Sequence, residues 1–91
     1  MNKADLVNSI ADKAGVTKKQ ADTVLSAALD IIIDTVSEGD KVTLVGFGSF
    51  EPRHRKARNG RNPQTGKALQ IPATTVPAFS AGKFFKEQVS S

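Results

Sequence analysis

The sequence predicts an α+β fold: an N-terminal helical hairpin, a three-stranded antiparallel sheet with an extended β-arm, and a short C-terminal helix. Three observations carry this expectation. Apolar residues recur at helical spacing through residue 39. They alternate at strand spacing in the segments 41–45 and 67–75. Between those segments lies a basic stretch rich in turn residues and free of acids.

Asn2 followed by Asp5 reads as an N-cap with an acid where the helix dipole favours one. Leu6, Val7, Ile10, Ala11 and Ala14 then mark one helical face, and Gly15 stands where a left-handed C-cap is needed. Thr17 and Gln20 form a capping-box pattern that opens a second helix. Its apolar set is Ala21, Val24, Leu25, Ala28, Leu29, Ile32 and Val36, widened by Ile31 and Ile33, and Gly39 ends it. One short partner helix cannot cover so broad a face.

Lys41–Val45 alternates and is β-branched, Gly46-Phe47-Gly48 punctuates it, and Ser49-Phe50-Glu51 begins a second strand. Asn59-Gly60 and Asn62 to Gly66 carry turn chemistry. From Lys67 to Thr75 alternation returns, with Leu69 and Ile71 on one side and Gln70 opposite. Pro52, Pro72 and Pro77 cannot donate ladder bonds, so free edges or bulges are expected there. Ser80 is the expected cap of a last helix through Val89, with Phe84 and Phe85 inward and Lys83 and Lys86 on another face. The chain is expected to form one domain over 1–91: helices in 1–39, the sheet in 40–80 with its arm at about 53–75, and the last helix in 81–91.

Length and composition exclude several function classes. At 91 residues a two-domain enzyme does not fit, because domains typically need ~50–200 residues each. The absence of cysteine removes disulfide staples, thiolate metal sites and cysteine nucleophiles together. No signal-peptide apolar region is read at the N-terminus, and the aliphatic run Ile31–Ile33 is far short of a membrane span. A cytoplasmic chain is expected.

The net charge of +4 hides a polarity, since residues 1–50 are net −2 and residues 51–91 net +6. Arg53, Arg55, Lys56, Arg58, Arg61 and Lys67 fall within 53–67 without one acid. Strands from 52–58 and 67–75 would carry Arg53 and Arg55 on one face and Lys56 and Arg58 on the other. Such a ribbon fits a nucleic-acid groove, with cations on phosphates and Pro63 near the apex as an apolar wedge between base pairs. A plain solubilising hairpin is the competing reading, and six cations without an acid weigh against it. Single-stranded or RNA targets usually stack on aromatics, and none lies between 51 and 78. Asn59, Asn62, Gln64 and the arm arginines could still bias site choice.

Without the arm, ~70–75 residues remain around five Phe, one Met and no Trp or Tyr, too little for a self-sufficient core. Oligomerisation is the remaining route, with Leu25, Leu29, Ile32, Leu44, Phe47, Phe50 and Phe79 as the expected shared core. A helix-turn-helix regulator is an alternative on Gly15-Val16-Thr17, but its recognition helix would present Asp22, Asp30 and Asp34 to phosphate. Enzymatic patterns fail: Gly82-Lys83 and Gly66-Lys67 lack the upstream glycine spacing and the following Ser/Thr of a phosphate loop. His54, the sole histidine, has no nearby carboxylate to orient it and cannot hold a metal alone. No catalytic residue, metal site or cofactor is expected.

Gly46-Phe47-Gly48-Ser49-Phe50, Arg55, Arg58, Gly60-Arg61-Asn62-Pro63-Gln64-Thr65-Gly66, Ile71-Pro72-Ala73 and Val76-Pro77-Ala78-Phe79 resemble the bacterial HU/IHF histone-like family, its cyanobacterial members above all. The resemblance covers essentially the whole chain. It implies an intertwined homodimer whose two arms embrace double-stranded DNA through the minor groove, preferring bent, nicked or flexible sites in the nucleoid. It implies that Arg53, Arg55, Lys56, Arg58, Arg61, Asn62, Gln64 and Lys67 line the arm and that Pro63 intercalates. Lys3, Lys18, Lys83 and Lys86 would meet phosphates along the body. Sequence-specific, IHF-like regulation is the alternative within the family. Pro52 at the arm root and His54, where an acid is frequent, depart from the pattern; His54 would make the arm more cationic in mild acid.

Overall fold

The computed structural model describes residues 1–90. The elements run α1 (Lys3–Ala14), α2 (Lys18–Ser37), β1 (Val42–Leu44), β2 (Gly48–Arg55), β3 (Arg58–Arg61), β4 (Ala68–Ile71), β5 (Thr74–Ala81) and α3 (Lys83–Ser90). They group into two compact units, Met1–Asp34 and the chain from Thr35 onward.

In the first unit, the Asn2 side chain accepts from the Asp5 N–H and the Asp5 carboxylate accepts from the Asn2 N–H, a reciprocal box that opens α1. Gly15, at φ 69°, closes it in the left-handed conformation that glycine adopts without a Cβ clash. Thr17 and Gln20 form the second box, with bonds of 3.0 and 3.1 Å. Val7, Ala11 and Ala21 are buried where the two helices meet, with Ile10 and Leu25 packed against them. Those three are the whole of the buried hydrophobic set among the described residues. Leu29, Ile31 and Ile33 on α2 are exposed.

The second unit holds the expected three-stranded sheet, of order β1-β2-β5, and the arm as a two-stranded ribbon, β3-β4. The Leu44–Phe47 turn is closed by the Phe47 N–H to the Leu44 carbonyl, 3.0 Å, with Gly46 at φ 83°. Phe47, Phe50, Phe79 and Phe85 form one aromatic cluster, with neighbouring centroids 4.9–6.5 Å apart. Phe84 is exposed, contrary to its expected inward position, because α3 turns only Phe85 into that cluster. Helix α3 also starts later than expected: Ser80 continues β5, donates to Glu51 Oε1 at 3.3 Å, and leaves the Gly82 carbonyl to receive the first helical bond from Lys86. Asn59 and Gly60, expected in a turn, lie in β3.

The two ladders are one ribbon with a gap. Register stays constant from Gly48↔Ala81 to Arg55↔Thr74, and again from Arg58↔Ile71 to Arg61↔Ala68; only the Lys56–Ala73 and Ala57–Pro72 pairs are missing. Prolines explain both what persists and what breaks. Pro52 faces Pro77, and neither can donate, so that pair exchanges no bonds and Glu51, Arg53 and Arg55 belong to the bonded pairs. The Gly82 N–H to the Phe47 carbonyl, 2.8 Å, follows the same parity. Beyond the gap Pro72 cannot supply a bond beside Arg58↔Ile71, so the bonded pairs become Arg58–Ile71 and Gly60–Leu69. The Asn62 N–H to the Lys67 carbonyl, 2.9 Å, continues that even parity.

In an antiparallel ribbon of L-residues, bonding direction and side-chain face are locked together. Arg53, Arg55 and Arg58 therefore share a ribbon face, whereas plain alternation had put Arg58 opposite the other two. Lys56 lies in the gap, outside any strand. Pro72 ends one bonding parity and lets the other begin.

Gly48 is the tightest point of the root: a Cβ there would come 2.5 Å from the Ser80 carbonyl oxygen and 2.6 Å from the Phe79 ring. Gly48→Ala is expected to destabilise the fold by about 2 kcal/mol or more, as overpacking does. Thermal unfolding at fixed protein concentration measures this.

Candidate nucleic-acid interface

Beyond Arg55 the arm is a ribbon in which β3 and β4 pack chiefly on each other. Its tip is held by backbone bonds and by small polar side chains. The Gly66 N–H reaches the Asn62 carbonyl at 2.7 Å, the Gln64 N–H reaches Asn62 Oδ1 at 2.9 Å, and Gly66 takes φ 70°. Asn62 is thus the organiser of the turn, half-buried by that work rather than free at the tip. Pro63 stands exposed at the first turn position, and Gln64 follows it.

All six arm cations are exposed. Arg53 lies 3.9 Å from Glu51, while Arg55, Lys56, Arg58, Arg61 and Lys67 have no ion-pair partner among the described residues. Glu51 was not foreseen as part of this region. It also lies 3.9 Å from Lys41 and accepts from Ser80, so it anchors the arm root. Its position directly across from Lys41 is the signal that strand pairing would have supplied. His54 faces Thr75 across the ladder, Nδ1 to Oγ1 3.4 Å.

The body lysines divide between the two units. Lys3 donates to Ser26 Oγ at 2.8 Å and lies 3.8 Å from Asp22. Together with Lys18, Lys19 and Asp22 it lines an open hollow of about 570 Å³ on the helical unit. Lys19 adjoins Lys18 at the start of α2 and faces the same hollow. Lys83 is the first residue of α3 and lies 4.0 Å from Glu87; Lys86 is one turn on. Cations in the first turn oppose the helix dipole, so their placement costs stability unless an anion comes near. Among the described residues no group of three or more His, Cys, Asp or Glu could hold a metal ion.

An exposed ribbon with no supporting element should open readily. Trypsin is expected to cut first after Arg58, Arg61 or Lys67, leaving the α1–α2 segment intact. Mass spectrometry of early digestion products reads the order of cleavage.

The family model described as bacterial DNA-binding protein matches residues 1–90. The DNA-binding protein HU of a Nostoc species is 69% identical over 90 residues, covering 99% of this chain and 96% of the relative. The Synechocystis HU is 59% identical over 96 residues, with the same coverage of 99% and 96%. Among solved structures, Anabaena HU in a cocrystal with DNA matches at TM-score 0.92 and 69% identity, covering 99% of this chain and 98% of that one. Thermotoga maritima HU matches at TM-score 0.70 and 35% identity, with 98% of each chain covered. An arm of unpaired arginines on an aromatic root, and likeness over almost the full length, place this chain in the bacterial DNA-binding protein family to which the HU proteins belong.

Proposed function

We propose that the chain binds and bends double-stranded DNA as an architectural, largely sequence-tolerant nucleoid protein of the cytoplasm. The observation that carries this is the exposed arm with five cations outside any ion pair. Phosphates can replace water around those groups without first breaking a salt bridge, and counterion release then drives association. Arg53, Arg55, Lys56, Arg58, Arg61 and Lys67 supply phosphate contacts on the arm, with Gln64 beside the tip. Asn62 acts by holding the turn that presents Pro63.

Pro63 is the wedge. Its ring is apolar, exposed and fixed at a turn position, so it can enter a base step without losing an N–H bond of its own. Unstacking costs a few kcal/mol per step and is offset by phosphates that the bend brings within reach. Lys3, Lys18 and Lys19, and separately Lys83 and Lys86, are the body groups that such a bend would meet. The competing regulator reading needs a recognition helix laid against DNA, and α2 carries Asp22, Asp30 and Asp34, which phosphate would repel.

A homodimer completes the core. Only three hydrophobic residues are buried among those described, while Leu29, Leu44, Phe47 and Phe79 remain 41–44% exposed. Within their own units Leu25 and Ile32, and separately Phe50, are half-buried, so each unit presents apolar surface. A second copy is the self-complementary partner that would cover it.

Two measurements test the DNA reading. Arg58→Ala or Arg61→Ala should weaken binding across duplex sequences and reduce the log–log salt slope by about 1 for each phosphate left without its cation. Unchanged slopes in both variants would remove the arm from the interface. Pro63→Ala should lose more affinity and bend on intact duplex than on a nicked, pre-bent one; equal losses on both would refute the wedge.

A further inference from the structure

Asn59-Gly60 is the only Asn-Gly step in the chain, and it carries a chemistry of its own. An asparagine amide carbon and the backbone nitrogen that follows it can close a five-membered ring. Glycine, without a Cβ, leaves that nitrogen unshielded. The other asparagines are closed to this route. Asn2 keeps its side chain on the Asp5 N–H, and Asn8 lies inside α1, where helical backbone holds the next nitrogen out of line. Asn62 precedes Pro63, whose nitrogen has no hydrogen to give up.

We propose that Asn59 is a self-modification site, at which the arm loses ammonia and gains a carboxylate when the β3–β4 ribbon opens. The Gly60 nitrogen gives its proton to a solvent base and attacks Asn59 Cγ. The new C–N bond closes a succinimide, and the side-chain nitrogen leaves as ammonia. Water then adds to one of the two imide carbonyls. Opening one C–N bond leaves aspartate; opening the other leaves isoaspartate, in which the backbone runs through Cβ and Cγ. No oxidant or reductant takes part.

The closed ladder restrains this reaction. Gly60 and Leu69 are a pair that exchanges bonds, by the same parity as the Asn62 N–H to the Lys67 carbonyl, so the Gly60 N–H is engaged. Extended strand backbone holds that nitrogen away from the Asn59 amide. Ile71 Cδ1 lies 3.3 Å from where a Gly60 Cβ would stand and covers that side of the glycine. The restraint is only as strong as the ribbon, however. Its two strands pack chiefly on each other, and an isolated pair of strands is marginal in water. Asn59 is exposed to the water and base that the reaction needs.

The product changes the arm at its most cationic stretch, where 53–67 carries six cations and no acid. A carboxylate at residue 59 stands between Arg58 and Arg61 in the chain and competes with phosphate for both. Isoaspartate goes further, because its extra backbone atom breaks the alternation that places Arg61 and the Asn62 turn. DNA held on the closed ribbon opposes opening, so bound chain is preserved while free chain ages. This consequence rests on the DNA-binding function proposed above; the chemistry at Asn59 does not.

The full chain incubated at mildly alkaline pH tests this in three states: folded, folded with excess nicked duplex, and unfolded in urea. Mass spectrometry with electron-transfer fragmentation reads each asparagine and separates aspartate from isoaspartate. Both products are expected at residue 59 of the folded chain before any other asparagine changes, with Asn62 intact. Duplex at about 100 times its Kd should slow the conversion about tenfold or more, because it binds the closed arm. Gly60→Ala should slow it in urea as well as in the folded chain, which separates shielding of the nitrogen from any change in folding. Residue 59 left intact in the folded chain once the unfolded chain has converted would overturn the proposal, as would earlier conversion at Asn2 or Asn8. Asn59→Asp should bind nicked duplex about threefold or more weakly than wild type, and equal affinity would overturn the stated consequence. A wild-type chain that binds no duplex would overturn the DNA reading alone, since conversion at residue 59 is read without DNA.

Discussion

The antiparallel ladder that begins where the Gly82 N–H meets the Phe47 carbonyl is the constraint on which the site depends. Its register does not slip between Gly48 and Arg61, so every arm position is determined by packing at the root. The root is tight because Phe79 lies over Gly48 and its ring joins Phe47, Phe50 and Phe85. A one-residue slip there would carry Arg53, Arg55 and Arg58 together to the opposite face. The aromatic cluster therefore does more than bury apolar area: it sets where the cations point.

Electrostatics divides these groups by how far they are already engaged. Lys3 is bonded to Ser26 and close to Asp22, and Arg53 is close to Glu51. Exposed pairs at 3.8–3.9 Å are weak, worth at most about 1 kcal/mol after solvent screening, so a phosphate can displace them. Arg55, Arg58 and Arg61 have nothing to surrender. The cations free to take a new anion are thus concentrated distally, while the paired cations sit at the root and on the helices.

Local chemistry was legible in the sequence to the extent that it is local. The Asn2 N-cap, the Thr17–Gln20 box and the Gly15 cap form as read, because each needs only residues three or four apart. The glycine-flanked Phe47 turn and the alternation of Leu69, Gln70 and Ile71 are likewise short-range. What escaped was long-range. Asn59-Gly60 has turn composition yet lies in a strand, since constant register with Leu69 and Gln70 overrides it. Ser80 looks like a cap but is taken by the β2 pairing and by Glu51. The face of Arg58 required knowing that Pro72 falls opposite Ala57, which no count along one strand supplies.

The four prolines show how one chemical deficit takes different meanings from its place in the ladder. Pro52 and Pro77 face each other at a pair that exchanges no bonds, so their missing N–H groups cost the β2–β5 ladder nothing. Those missing donors point outward instead. Strand β1 pairs with β2 only as far as Phe50, leaving no neighbour for Pro52 to fail, and the same deficit discourages a further strand from adding at the arm root. Pro72 falls where a donor was needed, and there the ladder breaks and changes parity. Pro63 is outside the ladder altogether, at a turn position whose φ suits it. Exposed edges invite self-association, and an arm that must stay free for a large anion cannot afford it. Proline at the root and unpaired arginine along the strands both keep this edge from another copy of itself, the first by removing donors and the second by repulsion, and only a polyanion reverses the second.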